Sequence, residues 1–114
     1  MHRKHFLATL AFGLFLAFPA TGLAQGKVLI TSPADGAILD AMDENHLVYE
    51  VDPGPRGDHV HVYVDHREIG ILRKLKGSYL LESLSSGTRN LCVKVVNKAH
   101  VPVGIEQCVK VTVK

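Results

Sequence analysis

The sequence contains no tryptophan, only two cysteines and two methionines, and few aromatic residues of any kind. After residue 24 no segment keeps a helical spacing of apolar residues for three turns, so the sequence does not predict a helical protein. Motifs of nucleophilic serine or cysteine enzymes are also absent, and a domain of about 90 residues has little volume to enclose a pocket. We therefore expect no enzymatic activity and no catalytic residues.

The first 24 residues have the pattern of a secretory signal peptide. Arg3 and Lys4 precede an apolar run from Phe6 to Phe18, and small residues up to Ala24 end the segment. The run is shorter than the roughly 20 residues that a membrane-spanning helix needs, and no second apolar run follows. We expect cleavage after Ala24, a mature domain over residues 25–114 without a membrane span, and a periplasmic or secreted location.

The predicted mature domain has balanced charges and an unusual share of histidine. Removal of the signal peptide takes away two basic residues and leaves 11 basic residues against 11 acidic ones. A nearly neutral domain is a poor partner for nucleic acid or for an acidic membrane surface. Five of the seven histidines remain in this domain. The partner classes that remain are a metal ion and an unknown protein of the cell envelope.

Alternating apolar and polar residues, interrupted by turn sequences about every 8 to 12 residues, predict a small all-β sandwich. Gly70 interrupts one of the alternating segments and predicts a β-bulge or a strand crossover there. Turn residues such as those of Ser32–Gly36 and Pro53–Gly57 separate the strands. The predicted strands are 27–31, 37–40, 46–52, 59–65, 69–72, 78–84, 90–97 and 104–114.

The last two strands predict a hairpin with a defined register. If the hairpin is centred on His100, Cys92 lies opposite Cys108 and Lys94 lies opposite Glu106, while the other face is largely apolar. An exported chain with two facing cysteines most simply forms one disulfide, Cys92–Cys108. The alternative, two thiols acting as soft metal ligands or as a redox pair, lacks the C-x-x-C spacing of such sites.

Three segments carry a resemblance to known proteins: residues 30–37 (ITSPADGA), the strand at 59–65, and residues 84–88 (LSSGT) before an alternating strand. Together they resemble bacterial periplasmic immunoglobulin-like or fibronectin-type-III-like domains of uncharacterised type. The resemblance implies an immunoglobulin-like sandwich of seven to eight antiparallel strands. The opening segment is also similar to periplasmic copper-resistance carriers, but their histidine at the mature N-terminus has no counterpart here, so their copper site is not implied.

The segment from Asp58 to His66, DHVHVYVDH, contains the candidates for a metal site. Its valines share one face of a strand, so His59 and His61 point together from the other face, with Cα atoms about 7 Å apart. In an immunoglobulin-like sandwich this strand begins beside the hairpin that carries His100. We therefore predict a site of His59, His61 and His100, with Asp58 as a candidate fourth ligand. Such a site suits copper(II) or zinc(II).

The sequence leaves two functions open. One is an exported, non-enzymatic binding or accessory module that holds copper or zinc through surface histidines. The other is a structural or protein-interaction domain of the cell envelope without a metal, because polar residues on an exposed strand face often include histidine and tyrosine. His46 and His66 are expected at the surface and in a turn, respectively, outside the predicted site.

Overall fold

Eight strands and no helix make up residues 26–114, the part of the chain that the computed structural model describes. The predicted signal peptide, residues 1–24, lies outside the described residues. The all-β prediction is confirmed, and all eight predicted strands are present with small shifts at their ends. The strands are β1 (Lys27–Ser32), β2 (Ile38–Leu39), β3 (Asn45–Asp52), β4 (His59–Val64), β5 (Arg67–Leu72), β6 (Lys76–Leu81), β7 (Gly87–Val96) and β8 (Pro102–Val113).

The strands form two sheets, a three-stranded sheet in the order β1-β3-β6 and a five-stranded sheet in the order β2-β8-β7-β4-β5. The prediction that every strand is antiparallel is wrong for β2, which runs parallel to β8, with Ile38 opposite Thr112. The reason is the segment that contains Pro33 and Gly36, which takes the chain from the smaller sheet to the edge of the larger one. Strand β4 lies between β5 and β7 and is antiparallel to both.

The core lies between the two sheets and consists mainly of branched aliphatic side chains. On β4, Val60 and Val62 are fully buried and lie opposite Val95 and Val93 of β7. Full burial of each such side chain stabilises the fold by about 1.5–3 kcal/mol. The valines of β4 therefore occupy the inner face, as the alternation predicts, and the histidines of the same strand occupy the outer face of the five-stranded sheet.

The Cys92–Cys108 disulfide is present, and the Cα atoms of the two cysteines are 4.0 Å apart. The predicted register also holds for Lys94 and Glu106. Beyond this pair the register shifts, so that Val96 pairs with Pro102. The prediction of a hairpin centred on His100 is therefore wrong by one residue.

The register shift has a local backbone cause. Gly104 lies within it at φ +90°, a conformation that favours glycine, and the extra residues on β8 form a bulge there. The predicted bulge at Gly70 is confirmed, because the β4–β5 register shifts between Val62 and Tyr63. The bulge in β8 has the larger consequence, since it changes the position of the hairpin tip that carries His100.

Candidate metal centre

Three imidazole nitrogens from His59, His61 and His100 meet at one point on the outer face of the five-stranded sheet. The Nε2 atoms of His59 and His61 are 3.2 Å apart. The Nδ1 atom of His100 lies 3.2 Å from His59 Nε2 and 3.0 Å from His61 Nε2. The structure thus brings together the three histidines that the sequence predicts as ligands.

The strand order explains why residues from distant parts of the sequence converge. Because β4 runs antiparallel to β7, His59 at the start of β4 lies opposite Val96 at the end of β7. The chain turns back directly after Val96, and the turn carries His100. His61 lies two residues further along β4, opposite Lys94, so its side chain projects from the same face as that of His59.

Asn97 shapes the hairpin tip that carries His100. Its side-chain oxygen accepts hydrogen bonds from the backbone N–H groups of Ala99 and Val101, at 2.9 and 3.0 Å. Its backbone carbonyl accepts a bond from the N–H of His100, at 2.9 Å. His100 itself adopts a left-handed backbone conformation with φ of +66°. These bonds give the tip a fixed shape in which the His100 ring contacts both strand histidines.

His59 and His61 are buried, whereas His100 is exposed. The exposed fractions of His59 and His61 are only 1% and 2%, although both project from the outer face of the sheet. The expectation of surface histidines is therefore wrong for these two residues. His100 at the hairpin tip contacts both rings, which strand alternation alone would place at the surface. Burial of two polar rings is costly unless their nitrogens find partners.

A carboxylate lies beside the outward nitrogen of each buried histidine. Asp58 Oδ2 is 2.8 Å from His59 Nδ1, and Arg73 approaches the same oxygen at 3.5 Å. Glu68 Oε1 is 3.0 Å from His61 Nδ1, although the two atoms do not meet hydrogen-bond geometry. The structure thus places Asp58, the candidate fourth ligand, on the far side of the His59 ring from the three converging nitrogens.

Burial and nearby groups set the protonation of His61 and Asp58. Desolvation lowers the pKa of the His61 imidazole, and the neighbouring rings of His59 and His100 lower it further, whereas Glu68 acts in the opposite direction. The hydrogen bond from His59 lowers the pKa of the Asp58 carboxyl. At neutral pH His61 is therefore neutral and able to donate a lone pair, and Asp58 is ionised.

Two contributors to the site have no strong signal in the sequence. Asn97 is typical of turns, which is a weak indication of its two side-chain hydrogen bonds. Glu68 lies on β5, and only the β4–β5 pairing places it opposite Tyr63 and within reach of His61. His46 is exposed beside Glu44 and His66 is exposed in the β4–β5 turn, in agreement with the expectation that neither belongs to the site.

The spacing of the three nitrogens fits one face of a tetrahedral ion. An ion bound at about 2.0–2.1 Å by imidazole nitrogens holds neighbouring nitrogens about 3.3 Å apart. The observed separations of 3.0–3.2 Å are close to this value. Within residues 26–114, the group contains no fourth histidine, cysteine or carboxylate. A bound ion would therefore have one coordination position for water or for an external ligand.

In residues 26–114, no helix has the length and the apolar character that crossing a membrane requires. No protein-family model matches the chain, and the comparison with curated proteins finds no significant match.

Solved structures share the fold at low sequence identity. The chain is similar to a fibronectin(III)-like module of Clostridium thermocellum CbhA, with a TM-score of 0.63 and 18% identity over 76% of this chain and 95% of that module's chain. An engineered protein has a TM-score of 0.56 and 21% identity over 80% of this chain, but only 20% of its own chain is covered. The extracellular domain of a putative one-component system, BT4673 of B. thetaiotaomicron, has a TM-score of 0.50 and 11% identity over 77% of this chain and 15% of its own. The fold is thus a fibronectin-type-III-like or immunoglobulin-like β-sandwich.

Proposed function

We propose that this chain is an exported, non-enzymatic accessory module that binds one divalent transition-metal ion through His59, His61 and His100. The observation that carries the proposal is the convergence of three ring nitrogens within 3.2 Å, with two of the rings almost completely buried. A disulfide within the domain supports export, because such bonds persist in oxidising compartments.

The chemistry of the three nitrogens favours a cation over a purely structural contact. The three ring nitrogens face one point, so their lone pairs are brought close together. A hydrogen bond between two of these nitrogens needs a proton on one of them, so pairing all three would require an unfavourable sharing of protons among the rings. A metal ion accepts all three lone pairs at once. Neutral imidazole is a preferred ligand of copper(II) and zinc(II), and the two cysteines are held in a disulfide and offer no thiolate. Copper(II) and zinc(II) are therefore the ions to test first.

Calorimetric titration of the chelator-treated protein with copper(II) and zinc(II) at pH 7.5 tests the proposal. We expect one saturable site per chain, lost when His59→Ala and His61→Ala are combined and strongly weakened by His100→Ala. The single change is the safer variant, because His100 is exposed and its removal leaves the core intact. His46→Ala combined with His66→Ala is the matched control, and we expect it to bind like the wild type.

Heats equal to those of buffer for both metals would contradict the proposal. Saturable binding that survives the loss of His59 and His61 would retain a metal but reject these ligands. Affinity should also fall below about pH 6, because protonated histidines cannot act as ligands.

A second candidate function is that of a structural or protein-interaction module of the cell envelope. A specific observation favours it: Leu29, Val48 and Leu80, from three neighbouring strands, are each more than a third exposed on the smaller sheet. These side chains lie opposite Glu50, Ser78 and His46 on the same face, and such a mixed surface suits contact with a partner that offers both apolar and polar groups. If Val48→Lys loses contact with a partner but gives the same metal titration as the wild type, the two functions are separate.

A further inference from the structure

The outward nitrogens of the two buried histidines have different environments from the outward nitrogen of His100. His59 Nδ1 lies 2.8 Å from the Asp58 carboxylate, and His61 Nδ1 lies 3.0 Å from the Glu68 carboxylate. His100 presents Nδ1 to the centre instead of Nε2, and its ring is exposed at the hairpin tip. A carboxylate thus lies beside each of the two buried histidines, whereas the ring of His100 is exposed to solvent.

A neutral imidazole carries one proton, and the nitrogen that carries it cannot bind a metal. An acceptor beside Nδ1 favours the tautomer with the proton on Nδ1, which leaves the lone pair on Nε2. In His59 and His61, Nε2 is the nitrogen that faces the centre. The hydrogen bond to Asp58 therefore favours this tautomer in His59, and the negative charge of Glu68, 3.0 Å from His61 Nδ1 without an aligned hydrogen bond, favours it electrostatically in His61.

The Asp58 carboxylate is itself held in place. The backbone N–H of Asp58 donates a hydrogen bond to the Val96 carbonyl at 2.8 Å, which fixes Asp58 directly before β4. Arg73 lies 3.5 Å from the carboxylate oxygen that contacts His59. Glu68 is more exposed, with 44% of its side chain accessible. Asp58 is therefore the more rigid of the two acceptors, and its removal should have the larger effect.

We propose that Asp58 and Glu68 are positioning residues that set the tautomers of His59 and His61 and thereby prepare both rings to bind a metal through Nε2. The role of these carboxylates in metal binding rests on the proposed function, whereas the tautomers of His59 and His61 are properties of the metal-free protein. Carboxylates beside metal-bound histidines commonly raise metal affinity 10–100-fold. Asp58 thus acts through His59 and not as a fourth ligand.

Long-range ¹H–¹⁵N NMR correlation of the metal-free protein at pH 7.5 tests the inference directly. We expect both His59 and His61 to carry the proton on Nδ1 in the wild type. In Asp58→Ala the His59 ring should become a mixture of tautomers while His61 is unchanged, and Glu68→Ala should have the reverse effect. Asp58→Asn, which keeps a neutral acceptor, should restore the His59 tautomer in part.

Zinc titrations of the same proteins supply the second measurement. We expect Asp58→Ala to weaken binding about 10–100-fold, Asp58→Asn to weaken it less, and Glu68→Ala to weaken it by a smaller factor than Asp58→Ala. Glu106→Gln is the matched control, because this carboxylate lies on the same sheet face but pairs with Lys94 at 4.0 Å. It should leave both the tautomers and the affinity unchanged.

The outcomes distinguish this inference from the proposed function. Protons on Nε2 of His59 and His61 in the wild type, or tautomers that do not respond to loss of either carboxylate, would overturn the inference even if zinc binds. Tautomers that respond as expected in a protein that binds neither zinc nor copper would support the positioning role and overturn the metal-binding function. Wild-type affinity in Asp58→Ala would reject the role of Asp58 in metal binding.

Discussion

Replacement of His61 by leucine should stabilise the metal-free protein and abolish its response to metal. His61 is 2% exposed, and its Nδ1 atom is buried without an aligned hydrogen bond. A buried polar atom of this kind costs about 1–3 kcal/mol, whereas a leucine of similar size removes that cost and buries apolar surface. We therefore expect the free energy of unfolding to rise by about 1–2 kcal/mol in His61→Leu, measured by urea denaturation with a chelator at pH 7.5.

Addition of metal should reverse the order of stability. A ligand at 100 times its dissociation constant stabilises the folded state by about 2.7 kcal/mol, so the wild type should become the more stable protein while His61→Leu does not respond. His46→Leu is the control, and because His46 is exposed its effect should stay within about 0.5 kcal/mol. A loss of 1 kcal/mol or more in metal-free His61→Leu would refute the reasoning, because it would make the imidazole a structural part of the core.

Replacing Cys92 and Cys108 with alanine should lower the free energy of unfolding by up to about 3 kcal/mol, because the bond closes a loop of about 15 residues; equal urea midpoints with and without reductant would contradict this. Burial lowers the pKa of His61, so the metal-free protein keeps its full free energy of unfolding above the unfolded-state pKa of about 6.5 and loses part of it as the pH falls through the lower folded-state pKa. Urea titrations from pH 8 to pH 5 measure that decline, which His61→Leu should reduce. Gly57→Ala should destabilise the fold by about 1–3 kcal/mol, because a Cβ there overlaps the Pro53 backbone carbonyl and the Val95 side chain, and it should weaken metal binding because Gly57 directly precedes Asp58 and His59; unchanged thermal unfolding would contradict this.

Much of the fold could be predicted from local features of the sequence. The alternation of valines with histidines on β4 fixes which face is buried, because a one-residue change in register would expose all of the valines. The facing cysteines and the Lys94–Glu106 pair fix the register of the last hairpin over most of its length. The immunoglobulin-like architecture then places β4 antiparallel to its neighbours, and this arrangement brings His100 close to His59.

The burial of the site could not be predicted in the same way. Strand alternation places His59 and His61 on an outer face, and an outer face is ordinarily exposed. His100 contacts both rings from the tip of a hairpin whose register shifts at the Gly104 bulge and whose turn is shaped by the Asn97 side chain. Glu68 reaches the site from a neighbouring edge strand. These effects depend on contacts between distant segments, which local patterns do not encode.

X-ray absorption spectroscopy of the zinc-loaded protein tests the central claim most directly, because it counts the imidazole ligands around the ion. The structure predicts three imidazole nitrogens at about 2.0–2.1 Å, completed by water or another light atom, and two imidazoles in His100→Ala. Two or fewer imidazoles in the wild type, or a count that His100→Ala leaves unchanged, would contradict a centre built from His59, His61 and His100.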